Sequence, residues 1–310
     1  PTALFLAASM NPSGLSIGAG IALCAALLRI GRREPAPRGV WLTLGLSGAA
    51  LALSHPTGLA WAALLIVGFV AWEGRATVRR LAREQDRLAR PGLLLLGLGI
   101  VAAVVWQGLY GPSTSIAYRA IRLALGRLPA QTWHGFQDVV AGFGYLEFRL
   151  PLVVYLLWLG FVAALAWAAA RAGSSRDRRV IVVAGAIGVL ISPAIWMVFG
   201  RAAGIGINGR EYMPVLVGFP MLCGEILYRH RDRISHAHGV LVTALATCAA
   251  VIQFVAWYLN GRRSAVGVGG SLLYPSHAAW SPPLGWVLWL VVAAAGAALV
   301  ASVALARSDR

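Results

Sequence analysis

Three carboxylates, Asp138, Glu147 and Glu211, and the arginines Arg149, Arg210, Arg262 and Arg263 lie in connections between strongly apolar stretches of a 310-residue chain. A carboxylate can take the proton of an acceptor hydroxyl, and a planar guanidinium meets phosphate oxygens with several donors at once. Together they suit transfer of a group away from a phosphate leaving group, provided that they face the same compartment. Each type also has a structural use. Arg210-Glu211 reads as a local ion pair as well, and Arg262-Arg263, just beyond an apolar stretch, as a headgroup anchor.

The elements that must position these residues are set by composition. Hydrophobic residues make up 59% of the chain and charged residues 12%, too apolar for the surface of a soluble domain. All 27 basic residues are arginine, against 11 acids, a net charge of +16. Such a charge on one groove-sized face would suggest nucleic acid, but these arginines are spread over loops at bilayer spacing, which excludes that partner. Most fall in the short segments 29–38, 75–90, 171–179, 229–233 and 307–310. Basic residues resist translocation, so these segments and the C-terminus are expected in the cytoplasm and the alternate loops outside. Only Asp138, Glu147 and Glu211 among the acids then lie in external loops.

A span needs roughly 20 apolar residues, and fewer where the bilayer thins. On that ruler about nine are expected, at 14–30, 40–54, 57–72, 92–110, 150–170, 180–199, 213–228, 239–259 and 284–305. The second and third meet at Ser54-His55-Pro56, as an external hairpin or a re-entrant pair. The hairpin keeps both flanking Arg clusters on one side. The expected fold is therefore all-α, a single polytopic transmembrane bundle over 1–310. Pro1 opens an apolar decapeptide with no initiator methionine and no basic leader, so the chain reads as the downstream part of a longer protein. Cys24, Cys223 and Cys248 lie inside apolar runs without paired spacing and point to packing.

Two connections are long. Segment 73–91 reads as a basic cytoplasmic helix, with Arg79, Arg83 and Arg87 in one row, and either enforces topology or binds anionic headgroups. Segment 111–149 is the longest external loop. Ile116, Ile121, Leu125 and Leu128 recur at helical spacing, as in an amphipathic helix lying in the interface, before Trp133, Phe136, Asp138, Tyr145 and Glu147. This is an aromatic belt or a functional surface. Gly204-Ile-Gly206-Ile-Asn-Gly209 has the letters of a dinucleotide fingerprint but follows an apolar helix, not a strand, and so carries no nucleotide reading. His236 and His238 are two residues apart in a loop, a weak metal signal.

Ala8-Ser9-Met10-Asn11-Pro12-Ser13-Gly14-Leu15, Ser54-His55-Pro56, Gly142-Phe143-Gly144-Tyr145-Leu146-Glu147 with Leu150-Pro151, Asn208-Gly209-Arg210 with Pro214, and Trp280-Ser281-Pro282-Pro283 keep their order along the chain. Together they resemble DUF2142, a family of actinobacterial membrane proteins of unassigned function. That family is in turn similar to the C-type (GT-C) glycosyltransferases, which take sugars from polyprenyl-phosphate donors. The external carboxylates Glu147, Asp138 and Glu211 are the candidate catalytic residues, and Glu147 also falls in one of these motifs. The external arginines Arg210, Arg149, Arg262 and Arg263 are candidate substrate-binding residues by their chemistry, and the resemblance adds Asn11, His55, Tyr145 and Trp280. Its pattern more often has tryptophan at Tyr145, aspartate at Glu147, a Thr-Pro pair at Phe148-Arg149, glutamine at Asn208 and tyrosine at Glu211. The acidic motif of C-type enzymes sits on a first external loop, which would precede Pro1.

The expected function is transfer of a polyprenyl-phosphate-linked sugar to a cell-envelope glycan or lipid on the external face. Membrane lipids are the other partners, no cofactor is assigned, and a divalent metal stays open. The other classes are a transporter or flippase of an amphiphilic envelope precursor and a non-catalytic scaffold. Transport is disfavoured because no expected span carries a central charge; Glu225 lies near a span end.

Overall fold

The structure, a computed structural model, describes residues 12–32, 34–84, 86–110, 130, 132–142, 149–199, 209–233, 235–267 and 269–308. The described residues form helices α1 (Pro12–Ile30), α2 (Arg38–Ser54), α3 (Gly58–Glu84), α4 (Asp86–Tyr110) and α5 (132–141). They continue with α6 (Leu152–Ala172), α7 (Ser175–Phe199), α8 (Met213–Leu216), α9 (Gly218–Arg229), α10 (Ser235–Val266) and α11 (Gly285–Ser308). No strand occurs among them, so the all-α expectation holds.

Among the described residues six helical stretches are long and apolar enough to cross a membrane: Ser13–Ile30, Gly58–Arg75, Arg87–Tyr110, Leu152–Ala172, Gly239–Val266 and Gly285–Ser302. Their side chains match that role. Leu94, Leu98, Trp106 and Leu109 on α4 are all more than 60% exposed, an apolar surface that only lipid covers at low cost. The count of about nine is not reached by this measure. Helix α2 is 17 residues long, and the expected 213–228 span is divided at Val217 into α8 and α9. Pro220 has no N–H for the carbonyl of Leu216, so the ladder cannot run through unbroken. The interfacial helix expected at 116–128 lies outside the described residues.

The chain divides into two compact units. Unit A comprises Ala3–Phe136 and Gly173–Ile226; unit B comprises Pro1–Thr2, Gln137–Ala172 and Leu227–Arg310.

In unit A, α2 packs against both α1 and α4. Small residues bring the α2 and α4 backbones together: a Cβ on Gly92 would sit on the carbonyl oxygen of Trp41, and one on Gly45 would sit on that of Gly92. In lipid, where apolar transfer no longer drives association, such close contact is a main source of helix affinity. The α2–α3 connection is the hairpin favoured above. Thr57 N–H and hydroxyl meet His55 Nδ1 at 3.3 and 2.8 Å, Gln107 Nε2 donates to the carbonyl of Pro56, and Gly58 leaves room for the carbonyl of Leu51.

Arginines do more than set topology. Helix α3 kinks at Gly74, whose φ of 79° suits glycine, and Arg176 Nη2 donates to the nearby Ala71 carbonyl at 3.1 Å. Arg29 reaches the carbonyls of Glu34 and Pro35 beyond α1, at 3.2 and 3.4 Å. In unit B, Arg233 Nη1 donates to the carbonyl of Ala172 at the end of α6, at 3.0 Å. These guanidiniums bond backbone carbonyls at a kink, in a loop and, for Ala172, at a helix end. Asp177 closes the start of α7 as a reciprocal cap: its Oδ2 accepts from Ser174 N and Oγ, both at 2.8 Å, while its N–H donates to Ser174 Oγ at 3.3 Å. Its Oδ1 accepts Trp72 Nε1–H at 2.9 Å, tying α7 to α3.

Candidate functional site

Within each unit the candidate residues collect at the end away from the dense arginines. Unit B shows this most clearly. The Arg233–Ala172 bond joins the C-terminus of α6 to the N-terminus of α10, and the two helices pack, so they run antiparallel. The start of α6 therefore lies at the same end as the finish of α10, which places Arg149 with Arg262, Arg263 and the α10–α11 loop.

Asp138 belongs to that end too. It lies on α5, 8% exposed, one turn before Ala141. The Tyr155 hydroxyl donates to the Ala141 carbonyl at 3.5 Å and accepts Leu150 N–H at 3.0 Å, so one phenol fastens α5 to the entry of α6. Arg149, beside that latch, is exposed. Glu147 and Tyr145 belong to 143–148, outside the described residues, as is Asn11.

The α10–α11 loop is built around aromatic rings. Tyr274 is fully buried, with its ring centroid 5.1 Å from Tyr258 and 4.9 Å from Trp286 in an edge-on arrangement. Trp286 Nε1 donates to the Trp280 carbonyl at 3.0 Å, and the Trp280 ring meets Trp286 edge-on at 5.6 Å. Trp280 keeps 52% of its surface exposed, so a ring face is open to a sugar or a headgroup. Arg262 donates from Nε at 3.0 Å, and also from Nη2, to the carbonyl of Gly270. Its guanidinium closes the loop, a structural use that its place in the sequence did not reveal. Arg263 is half-buried beside it. The loop ends in a turn with Leu284 at φ 69°, where glycine would be relaxed.

Burial pushes the Tyr274 phenol up to about 12, and the neighbouring Tyr258 adds to this. The hydroxyl is buried and has no hydrogen-bond partner among the described residues. Leaving such a group unmade costs about 1–3 kcal/mol. Tyr274→Phe should therefore leave stability unchanged or raise it by about 1 kcal/mol. Thermal unfolding of the purified protein checks this, and clear destabilisation would show a bonded hydroxyl.

Unit A carries the other candidates. Arg210 and Glu211 form the 3-10 turn Gly209–Glu211 immediately before α8. The turn is held down because α8 packs on α1, where Gly20 admits the Pro214 backbone. Arg210 is 9% exposed and Glu211 half-buried, so both are fixed parts of the wall. The chain descends from there to Glu225, whose Oε1 and Oε2 accept Arg32 Nε–H and Nη2–H at 3.0 and 2.7 Å. Sequence reading left this bidentate pair unassigned, because its members are 193 residues apart. The one available signal was a lone carboxylate in an apolar stretch.

Burial lowers the imidazole of His55 below its ordinary 6.5. With Nδ1 accepting Thr57 N–H, the neutral ring carries its proton on Nε2. Below pH 6.5 the unfolded chain takes up a proton that the buried ring refuses. This contribution is therefore full above 6.5 and declines as pH falls from there toward the lower folded value. His55→Gln should flatten that decline. Unfolding temperatures in detergent at about pH 8 and about pH 5.5 would read it. An identical drop in parent and variant would move the cause elsewhere.

Among the described residues no cluster of three His, Cys, Asp or Glu side chains is placed to hold a metal ion.

Residues 1–219 match the family described as "Predicted membrane protein (DUF2142)", and the chain belongs to that family. The Trp280-Ser281-Pro282-Pro283 motif and Arg262-Arg263 lie beyond the matched residues. No curated protein and no solved structure matches the chain.

Proposed function

We propose that this DUF2142 membrane protein transfers a sugar from a polyprenyl-phosphate donor to a cell-envelope glycan or lipid, on the face of the membrane away from its Arg-rich loops. Positive-inside bias makes that face external and the C-terminus cytoplasmic. The reading is carried by one end of unit B, which brings together Asp138, Arg149, Arg263 and the open face of Trp280 and which, in the topology proposed here, lies level with the bilayer surface. A sugar phosphate attached to a membrane-bound tail presents its reactive bond at that level.

Glu147 takes the proton of the acceptor hydroxyl as its oxygen bonds to the anomeric carbon. The bond from that carbon to the phosphate oxygen breaks, and polyprenyl phosphate leaves with the added charge. The arginine donors Arg149 and Arg263 stabilise that charge. Trp280 stacks on a sugar ring. Against transport, the buried charged residues among those described are Asp138, Asp177, Arg210 and Glu225, all placed toward helix ends and none at a mid-membrane coupling position.

The test uses full-length protein in sealed vesicles of known orientation, with a polyprenyl-phosphate sugar and an acceptor supplied to one side. Product should form only with acceptor on the Arg-poor side. Arg149→Ala should weaken donor binding by roughly 1.5–3 kcal/mol, the worth of a charge-assisted contact, and Arg87→Ala should change little. Movement of an envelope lipid without glycosyl transfer would replace this reading with transport.

A further inference from the structure

Unit A encloses a cavity of about 140 Å³ between α1, α3, α7 and the α8–α9 segment. Its lining is almost wholly apolar, with Leu27 and Leu28 from α1, Phe69 and Trp72 from α3, and Phe219 and Leu222 from α9. It opens sideways, since Gly68 and Ile187 on its rim are exposed. Along α7 it extends from Val180 to Gly188, roughly 12 Å at 1.5 Å per residue. An apolar cavity facing hydrocarbon takes no water and is filled by a hydrocarbon chain.

The cavity is asymmetric in charge. At its Arg-rich end Trp72 lines the wall, and Ala71 beside it accepts from Arg176. Arg176 lies one turn before Val180 on the same face of α7, and it is exposed, as are Arg75 and Arg179. Of the nearby acids, Glu225 is neutralised by Arg32, while Asp177, hydrogen-bonded by the neutral Trp72 and Ser174, and Glu73 keep their charge. The exposed Arg75, Arg176, Arg178 and Arg179 outnumber these two at the mouth of an apolar slot.

We propose that the cavity holds one acyl chain of an anionic phospholipid from the leaflet at the Arg-rich end, with the lipid phosphate against Arg176. Charge complementarity selects this occupant over a zwitterionic lipid. The position in the Arg-rich half separates it from a donor whose sugar reacts at the opposite face. The inference requires only that unit A sits in a bilayer and is independent of the sugar-transfer reading.

The probe is native mass spectrometry of the delipidated full chain in detergent, titrated separately with palmitoyl-oleoyl phosphatidylglycerol and the matching phosphatidylcholine. One tightly held phosphatidylglycerol is expected, preferred by about fivefold, the scale of one arginine near an anionic headgroup. Arg176→Ala should erase the preference while leaving chain binding. Gly68→Leu directs its side chain into open space, because a Cβ at Gly68 meets nothing within 4 Å, and should cut binding of both lipids at least tenfold. Gly97→Leu, also free of neighbours and outside the cavity lining, should bind like the parent. Ile187→Trp at the rim is a second plug if Gly68→Leu yields no folded protein. Full binding by a folded plugged variant would remove the chain from the cavity, and a preference surviving Arg176→Ala would remove the headgroup from that arginine. Polyprenyl phosphate displacing phosphatidylglycerol at equal concentration would overturn the choice of occupant.

Discussion

Gly92→Leu should leave little folded protein to extract from the membrane, while Gly97→Leu on the same helix should be recovered at the parent level. At Gly92 the new Cβ would fall on the backbone of Trp41, with Leu42 N close behind, whereas at Gly97 it meets nothing within 4 Å. Overpacking usually costs about 1–3 kcal/mol, because side chains in the way can rotate. A carbonyl oxygen in a helix cannot, so α2 and α4 would have to separate along the whole seam. Gly99 against Ala49 and Gly45 against Gly92 would lose their contacts with it. Since net stability is only about 5–15 kcal/mol, losing the best-packed pair of unit A should prevent folding. Yield after extraction and resistance to denaturing detergent are the measurements. A normal yield of Gly92→Leu would show that the α2–α4 crossing is not essential to unit A.

This seam marks where sequence reading stops. Apolar runs announce helices because lipid demands an internally bonded backbone, so α1, α4, α6, α10 and α11 were legible. The hairpin at His55-Pro56 followed from proline and from the arginines on either side. Nothing in composition says which helix faces which, and in lipid an apolar stripe gives no guidance, since buried and lipid-facing surfaces use the same residues. Nor does the sequence pair Gly92 and Gly99 with Gly45 and Ala49, the residues that they approach. The break at Val217 was missed because 213–228 is apolar apart from Glu225, and Pro220 was passed over inside it.

The candidate site was legible in a similar, partial way. Alternation of Arg-rich and Arg-poor loops collects Arg149, Arg262, Arg263 and Trp280 at one end of unit B, and the fold agrees. Roles were less visible. Arg262 and Arg149 look alike in sequence, yet the first is engaged by Gly270 and the second is exposed. Asp138 looked like an external carboxylate, yet it is buried behind the Tyr155 latch. Such distinctions depend on contacts between segments distant in the chain, which spacing does not encode.

The placement of Asp138 bears on which carboxylate acts as the base. A general base must come within hydrogen-bond reach of the acceptor hydroxyl, and Asp138 sits on a helix whose end is fastened by Tyr155. Glu147 belongs to the same connection in sequence, two residues before the exposed Arg149. Glu147→Gln keeps the shape and some hydrogen bonding but cannot accept the proton. Turnover by full-length protein should fall by roughly 10²- to 10⁴-fold, the usual contribution of a positioned base, while donor affinity changes little. Asp138→Asn should instead lower thermal stability and leave the rate per folded molecule within about tenfold, as expected of a buried carboxylate that supports the site without taking the proton. Single-turnover product formation and donor binding, measured on variants of verified fold, separate the two. Normal turnover in Glu147→Gln together with collapse in Asp138→Asn would transfer the base role to Asp138, and the catalytic surface would then lie beneath the Tyr155 latch.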